Sequence, residues 1–536
     1  MKRNETENIT VNADEAISER EKKQFVKMTQ TSIPRLIVSL GIPTTLSMMV
    51  TSLYNLADTF FVSLIGNDSI TAAASNLLAL MSVIQAIGFT FGMGSGSIVS
   101  TLLGKRDREG ADSVASSAFF IGCVSGALIM IFGLIFLTPL MKLLGSVKPD
   151  VLEYSRQYAR FILLAAPFMC MSFVMNNVLR AEGKAVLSMI GLVTGAVVNV
   201  VLDPILIFVA DMGITGAAIA TFASQVLSFT ILLIMFLSGK TVVRLRLRAV
   251  SRKFSGYWNI VATGFPSFCR QILASLCTVF LNRAADKYGG EAAQAALGVV
   301  QKVFMLAFSI SLGIGQGYQP VLGYNYSAKR FDRVRSAYLF TLGFATALMV
   351  GFAVICAVLA PQIMHVFSLS EDARRIGALT LRLQCITMPL LPLNFMAGLT
   401  YQVVGNKALA ALLSISRQGL FYIPAVLIMP WLIQLRGVQA CQTVSDAFAF
   451  VFAIPFTVIF FRTLTREQAK VEGKFSEEAP MSVLNGNTEE KNHVIFCPCC
   501  LQRLRVHNAK QSYVCPHCRR AFEVTIRKKA VPRAEE

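Results

Sequence analysis

Asp58, Asn199 and Asp203 are polar side chains set inside long apolar stretches. Asp58 falls in Tyr54-Asn55-Leu56-Ala57-Asp58-Thr59, the other two in Asn199-Val200-Val201-Leu202-Asp203-Pro204. A carboxylate in hydrocarbon costs about 2.5–3.5 kcal/mol on insertion scales, so such groups are paired, face a cavity, or bind an ion or a proton. Asn199 and Asp203 are four residues apart and share a helix face. Pro204 withholds a backbone donor and can bend the span, exposing carbonyls that ligate a cation. The pattern suits reversible binding of a proton or another cation; the alternative is a structural hydrogen bond near a span end.

A second set lies further along the chain. Arg270-Gln271, Arg417-Gln418 and Asp446 occupy apolar stretches, and Arg382 sits near the edge of another. Intramembrane arginines need partners, so Asp446 is expected to pair with Arg270 or Arg417, as a structural bridge or as a charge switch facing a cavity. An arginine left unpaired would admit a negative group on a substrate. A third set, Cys497, Cys500, Cys515 and Cys518, forms two Cys-x-x-Cys knuckles at a spacing close to that of a four-thiolate zinc site. Strands are expected at Leu504-Arg505-Val506 and Phe522-Glu523-Val524.

The elements that must carry these residues follow from composition. The 536 residues are 54% hydrophobic and 15% charged, with mean hydropathy +0.57, which identifies an integral membrane protein. Apolar spans read near 34–63, 69–103, 112–138, 156–179, 185–209 and 214–237. Six more follow near 257–282, 291–320, 338–362, 379–402, 408–432 and 440–461. The first is preceded by a polar stretch and followed by no small-residue cleavage site, so it reads as a retained helix.

The chain repeats itself. Gly41-Ile42-Pro43 returns as Gly264-Phe265-Pro266, and Gly92-Met93-Gly94-Ser95-Gly96 as Gly313-Ile314-Gly315-Gln316-Gly317. Lys105-Arg106 with Asp107-Arg108 matches Lys329-Arg330 with Asp332-Arg333, and Gly183-Lys184-Ala185 matches Gly405-Asn406-Lys407-Ala408. Two copies of several apolar spans each are the trace of a secondary carrier with its site between two bundles. The paired glycine clusters let helices pack closely or bend, as a gate would.

Lys and Arg concentrate in the loops near 105–108, 180–184, 240–253 and 329–335, which places both termini in the cytoplasm. The net charge of +19 is then topology bias and contact with anionic lipid. Within Thr241-Val242-Val243-Arg244-Leu245-Arg246-Leu247-Arg248, cations alternate with apolar residues. That suits either a simple linker or a segment lying on the bilayer with Val and Leu turned to lipid.

Tyr54-Asn55 to Asp58-Thr59, Asn199 to Phe208, and Gly315-Gln316-Gly317-Tyr318-Gln319-Pro320-Val321-Leu322-Gly323-Tyr324-Asn325-Tyr326 together resemble the multidrug and toxic compound extrusion (MATE) family over residues 33–465. The resemblance implies twelve helices in two pseudo-symmetric six-helix lobes around a central cavity, exporting organic cations in exchange for H+ or Na+. Carried over, the ion-coupling site falls on Asp58, Asn199 and Asp203, with Asn55 a neighbour. Another branch places acidic residues on its seventh and tenth spans; 257–282 and 379–402 here contain no Asp or Glu.

The expected architecture is an all-α membrane protein with a small β zinc ribbon. A cytoplasmic tail (1–32) precedes an N-lobe (33–238), an inter-lobe linker (239–256) and a C-lobe (257–464). A flexible linker (465–492), a zinc-ribbon-like domain (493–527) and a tail (528–536) follow. The expected activity is antiport of amphipathic, cationic small molecules across a bacterial plasma membrane, with Zn2+ structural in the ribbon and membrane lipid around the lobes. The ribbon would serve a protein or nucleic-acid partner. A lipid-linked saccharide flippase, an exporter of an anionic metabolite and a membrane-tethered adaptor are the alternatives. No ATP use is expected, because Gly239-Lys240-Thr241 lacks the upstream glycine of a phosphate loop, and no enzyme is expected.

Overall fold

The computed structural model describes residues 19, 21–65, 68–146, 148–367, 370–477, 493–496, 503–506, 510–514 and 521–525. The chain divides into two units, Met1–Arg466 and Glu467–Glu536.

In the first unit, six helices form the first half: α1 (Ile33–Ser63), α2 (Asp68–Gly104), α3 (Arg108–Ile135), α4 (Pro149–Ala181), α5 (Ala185–Pro204) and α6 (Gly213–Leu237). The second half holds α7 (Phe254–Ser327), α8 (Phe331–Val358), α9 (Glu371–Thr387), α10 (Leu391–Val404), α11 (Lys407–Ile415) and α12 (Ile423–Glu477). Among the described residues, ten helical stretches are long and apolar enough to cross a bilayer.

Two of these cannot be single crossings. The 74 residues of α7 would extend about 110 Å at 1.5 Å per residue, against a hydrocarbon thickness of about 30 Å. The run breaks at Gly290, whose φ of 64° and ψ of −162° are open to glycine alone. The 55 residues of α12 break at Ile433 and Gln434. The helix then continues to Glu477, past Thr465, where the composition turns polar; Arg466-Glu467-Gln468-Ala469-Lys470 are good helix formers and Lys470 reaches Glu467 at 2.7 Å.

The internal repeat is visible in the backbone. Arg106 and Lys329 are both left-handed (φ 61° and 55°). The next N–H in each copy turns back to a helix carbonyl five residues earlier, Asp107 to Leu102 and Arg330 to Asn325, each at 2.9 Å. Gly183 and Gly405 repeat the device (φ 78° and 96°), with Lys184 N–H to Leu179 O and Asn406 N–H to Tyr401 O, again 2.9 Å. These are matching helix terminations at matching places.

The first half packs around Leu77, Ile84, Tyr158, Ile162, Ala166 and Ile214, the second around Val300, Ile314, Met349, Leu381 and Met388. Apolar side chains also cover the outside: Leu128, Ile131, Phe132 and Ile135 of α3, and Val350, Val354 and Val358 of α8, are exposed. An apolar exterior belongs in lipid.

The two halves meet at the end of the bundle where Gly104 and Ser327 lie, here the basal end. Cβ atoms built on Gly94 and Gly264 would collide with the backbone of Ile260 and Thr90, one on Gly317 would lie 2.6 Å from Gly41 Cα, and one on Gly104 2.8 Å from Tyr324 Cα. Around these crossings Gln319 Nε2 donates to Ser97 Oγ (2.9 Å), Thr44 Oγ1 to Gly313 O (2.6 Å), and Ser52 and Ser309 hydroxyls meet at 2.6 Å.

A helix at residues 21–30 clasps the basal end across both halves. Its last carbonyls, the unsatisfied groups of any helix end, accept from the second half: Met28 O from Asn325 Nδ2 (3.1 Å) and Thr29 O from Arg330 Nη1 (2.7 Å). Thr31 O, just beyond the helix, accepts from Arg333 Nη2 (2.6 Å). On the other side Gln24 Nε2 donates to Glu182 O (2.6 Å) and Arg106 lies 4.3 Å over the Phe25 ring.

The loop between the halves is also fastened. Glu182, fully buried, accepts from the N–H groups of Val242 (2.8 Å) and Val243 (2.9 Å), with Lys184 at 3.5 Å. Burial pushes this carboxyl up from its ordinary value, against the pull of Lys184 and the two N–H groups. Asp112 Oδ1 accepts from Arg244 N–H (2.8 Å) and Ser116 Oγ from Arg246 N–H (3.0 Å). This corrects the bilayer-surface reading of the loop: Val242 and Val243 are 1% and 0% exposed and turn into the protein, because their N–H groups must reach Glu182.

The second unit contains two antiparallel pairs, β1 (His493–Phe496) with β2 (Arg503–Val506), and β3 (Lys510–Val514) with β4 (Ala521–Thr525). Leu504-Arg505-Val506 and Phe522-Glu523-Val524 lie on β2 and β4. Cys497, Cys500, Cys515 and Cys518 lie outside the described residues.

Candidate functional site

In the first half, α1, α4, α5 and α6 bring the polar residues together. Asp203, 0% exposed, and Asn199, 1% exposed, sit on one face of the last turns of α5, and Pro204 is followed by a π-helical turn over Ile205–Val209. Such turns mark places where the regular backbone ladder is interrupted. The missing Pro204 donor is the local cause.

Asn199 Nδ2 donates to Asp203 Oδ1 (3.3 Å) and to Thr221 Oγ1 on α6 (3.4 Å). On the other side, the hydroxyl of Tyr158 on α4 donates to both oxygens of Asp58 on α1, at 3.3 and 3.2 Å. Two hydrogen-bonded groups result, Asp203 with Asn199 and Thr221, and Asp58 with Tyr158. Asp203 Oδ2 and Asn199 Oδ1 are buried and unpartnered among the described residues. Buried acceptors in that condition are costly, and a proton or an oxygen-coordinated cation would satisfy both.

Asn199 and Asp203 are thus joined directly, and Asp58 is held by Tyr158. Asn55 lies on α1, with its side chain outside the described residues. The partners Tyr158 and Thr221 were not singled out by the sequence. Tyr158 stands among the polar residues Arg156 and Gln157, and Thr221 is one of many hydroxyls in the spans, so neither type nor spacing distinguishes them.

The second half carries a different chemistry. Arg417 lies in a π-helical turn, Ser416–Tyr422, between α11 and α12, and its Nε donates to Asp446 Oδ1 at 2.8 Å. Gln442 Nε2 donates to the same oxygen (2.9 Å), and Ser445 Oγ donates to Arg417 O (2.7 Å). The expected partner of Asp446 is therefore Arg417. The guanidinium also lies 5.1 Å from the Phe304 ring centre and 5.7 Å from that of Phe308. Arg270 makes no ion pair among the described residues; it sits 5.2 Å over Phe395 and lines, with Arg417, a cavity bounded by Phe308, Asn394 and Phe395. Gln271 stays beside Arg270 on α7, its carbonyl accepting from Ser275 (3.3 Å).

The sequence profile described as MatE matches twice, at residues 43–205 and 266–428, one match in each half. The chain belongs to the MatE family. Its two matches fall in register with the repeated helix ends, and the family consists of transporters rather than enzymes.

The multidrug export protein MepA of Staphylococcus saprophyticus is 26% identical over 455 residues, covering 84% of this chain and 99% of that protein. MepA of Staphylococcus aureus is 24% identical over 458 residues, with the same coverage. Among solved structures, an outward-facing multidrug resistance MATE transporter of the MOP superfamily superposes with a TM-score of 0.78 at 28% identity, covering 82% of this chain and 98% of that one. A MOP superfamily transporter from Pyrococcus furiosus, described as having a binding pocket of reversed polarity, gives 0.77 at 28%, again with 82% and 98% coverage. This MatE protein is a multi-pass membrane protein.

Proposed function

We propose that this MatE protein exports amphipathic small molecules across a bacterial plasma membrane by alternating access, driven by entry of H+ or Na+ at Asp58, Asn199 and Asp203. The observation that carries the reading is the buried pair Asn199 and Asp203, each with an oxygen that has no partner among the described residues. The drug-exporting relatives support the cargo class. In this reading the stretches Phe254–Ser327 and Lys407–Val471 each cross twice, at the breaks near Gly290 and Gln434, so the ten stretches make twelve spans, and both termini and the basal end lie in the cytoplasm with the basic loops. With the halves meeting at that end, the conformation faces outward. Cys497, Cys500, Cys515 and Cys518 hold zinc in this reading; metal analysis of the purified chain with and without the four cysteines tests it, and equal zinc content rejects it.

The carrier test is dye efflux from proteoliposomes, with wild type beside Asp58→Asn and Asp203→Asn under separate proton and sodium gradients. Efflux that follows one gradient and collapses in both variants is expected. Undiminished coupled efflux in both variants would remove the ion site. Absence of efflux of cationic and zwitterionic dyes by inserted wild type would remove the exporter reading.

A further inference from the structure

The cavity of the second half holds more positive charge than it neutralises. The helices around it, residues 254–285, 292–327, 379–404 and 407–445, contain no Asp or Glu. Asp446 answers one guanidinium, that of Arg417, through a single nitrogen. Among the described residues, Arg417 Nη2 is buried and unpartnered, in a residue 7% exposed. Arg270 has, among them, the face of Phe395 and no ion pair. Ser311, 3% exposed, lines the same cavity, its hydroxyl also without a partner among the described residues. The orphaned acceptors nearby are Gln418 Oε1 on the lining and Asp446 Oδ2 beside Arg417; Asn394 spends its Nδ2 on Ser416 Oγ (3.3 Å) and Ala449 O (3.4 Å).

A membrane span retains an unpaired arginine against a cost of several kcal/mol. Here the cost has a use, because Arg270, Arg417 and Ser311 line one small cavity of about 20 Å³, room for one polar group. Two of them are charged and planar, the geometry that takes two oxygens of one carboxylate or phosphate side by side. Phe308 and Phe395 line the same cavity. The balance of charge opposes a bare cation, since an approaching positive centre would meet Arg270 with no carboxylate to offset it.

We propose that this cavity, through Arg270, Arg417 and Ser311, binds the carboxylate or phosphate of an amphiphilic substrate, so that the cargo is a zwitterion or an anion. The inference rests on the exporter reading above and narrows its cargo. Asp446 holds Arg417 in place and leaves the charge of Arg270 for the ligand.

The test uses the purified full chain in nanodiscs and two fluorescent probes that differ in one group, a rhodamine with a free carboxylate and its methyl ester. Binding is read by fluorescence polarisation and transport in proteoliposomes. Two charge-assisted hydrogen bonds predict that wild type binds the acid about tenfold or more tightly than the ester. Arg270→Gln should bring that ratio close to one, and Arg270→Lys, which keeps the charge but loses the planar fork, should retain only part of it. The wild-type ratio requires no variant, so it stands even if Arg270→Gln fails to fold. Equal binding of acid and ester by wild type, with the ester exported in an Asp58-dependent way, overturns the anion site and leaves the exporter reading intact. Failure to bind or move either probe counts against both.

Discussion

The contact between the halves at the basal end turns on two glycines that occupy equivalent places in the repeat and behave differently. A Cβ on Gly264 would collide with the carbonyl oxygen of Thr90 and lie 2.6 Å from its carbonyl carbon, whereas a Cβ on Gly41 would meet only Ile314 Cα at 3.8 Å, an ordinary contact. The obstacle at Gly264 is backbone, so no rotamer change relieves it, and α7 must move away from α2. Overpacking of this kind costs about 1–3 kcal/mol. The cost falls only on the state closed at this end, so Gly264→Ala should raise the population open there by about 5–150-fold. Gly41→Ala should leave it nearly unchanged, with a helix-propensity gain of up to about 1 kcal/mol.

A reporter cysteine in place of Ser97, which is 1% exposed and bonded to Gln319, reads this directly. Its rate of labelling by a maleimide scales with the open population. Labelling should accelerate in the Ser97→Cys background with Gly264→Ala and not with Gly41→Ala. Equal rates in the two would refute the argument that a single backbone crossing sets the closed state.

Two further outcomes follow from buried charges. Arg417→Met leaves Asp446 buried without its cation and should cost about 3–5 kcal/mol in thermal stability, while Arg417→Met with Asp446→Leu should regain most of it; a double variant no more stable than the single would contradict the pair. Glu182→Ala strands the N–H groups of Val242 and Val243 at about 1–3 kcal/mol each, so trypsin should cut at Arg244, Arg246 and Arg248 far faster than in wild type. Unchanged cleavage would mean that the loop is held by its other contacts, Asp112, Ser116, Ser117 and Lys184 among them.

The duplication, the membrane class and the shared helix face of Asn199 and Asp203 were legible in the sequence, whereas the grouping of Asp58 with them came from the family resemblance. The first three rest on local chemistry: span length on hydropathy, the repeated turns on glycines and short motifs, and the Asn199–Asp203 bond on a four-residue spacing within one helix. What lay beyond the sequence involves groups brought together across the fold. Tyr158 holds Asp58 from 100 residues away, and Thr221 accepts from Asn199 from 22 residues away. Asp446 had two candidate cations, and only packing gave it Arg417, which a π-helical turn carries into reach of the last helix. The alternation around Val242-Val243 left a plain linker and a lipid-facing segment both open, and Glu182 draws the pair inward. A sequence states which groups must find partners when water is removed; which partner each finds depends on where distant helices place their donors, and that is set by tertiary packing.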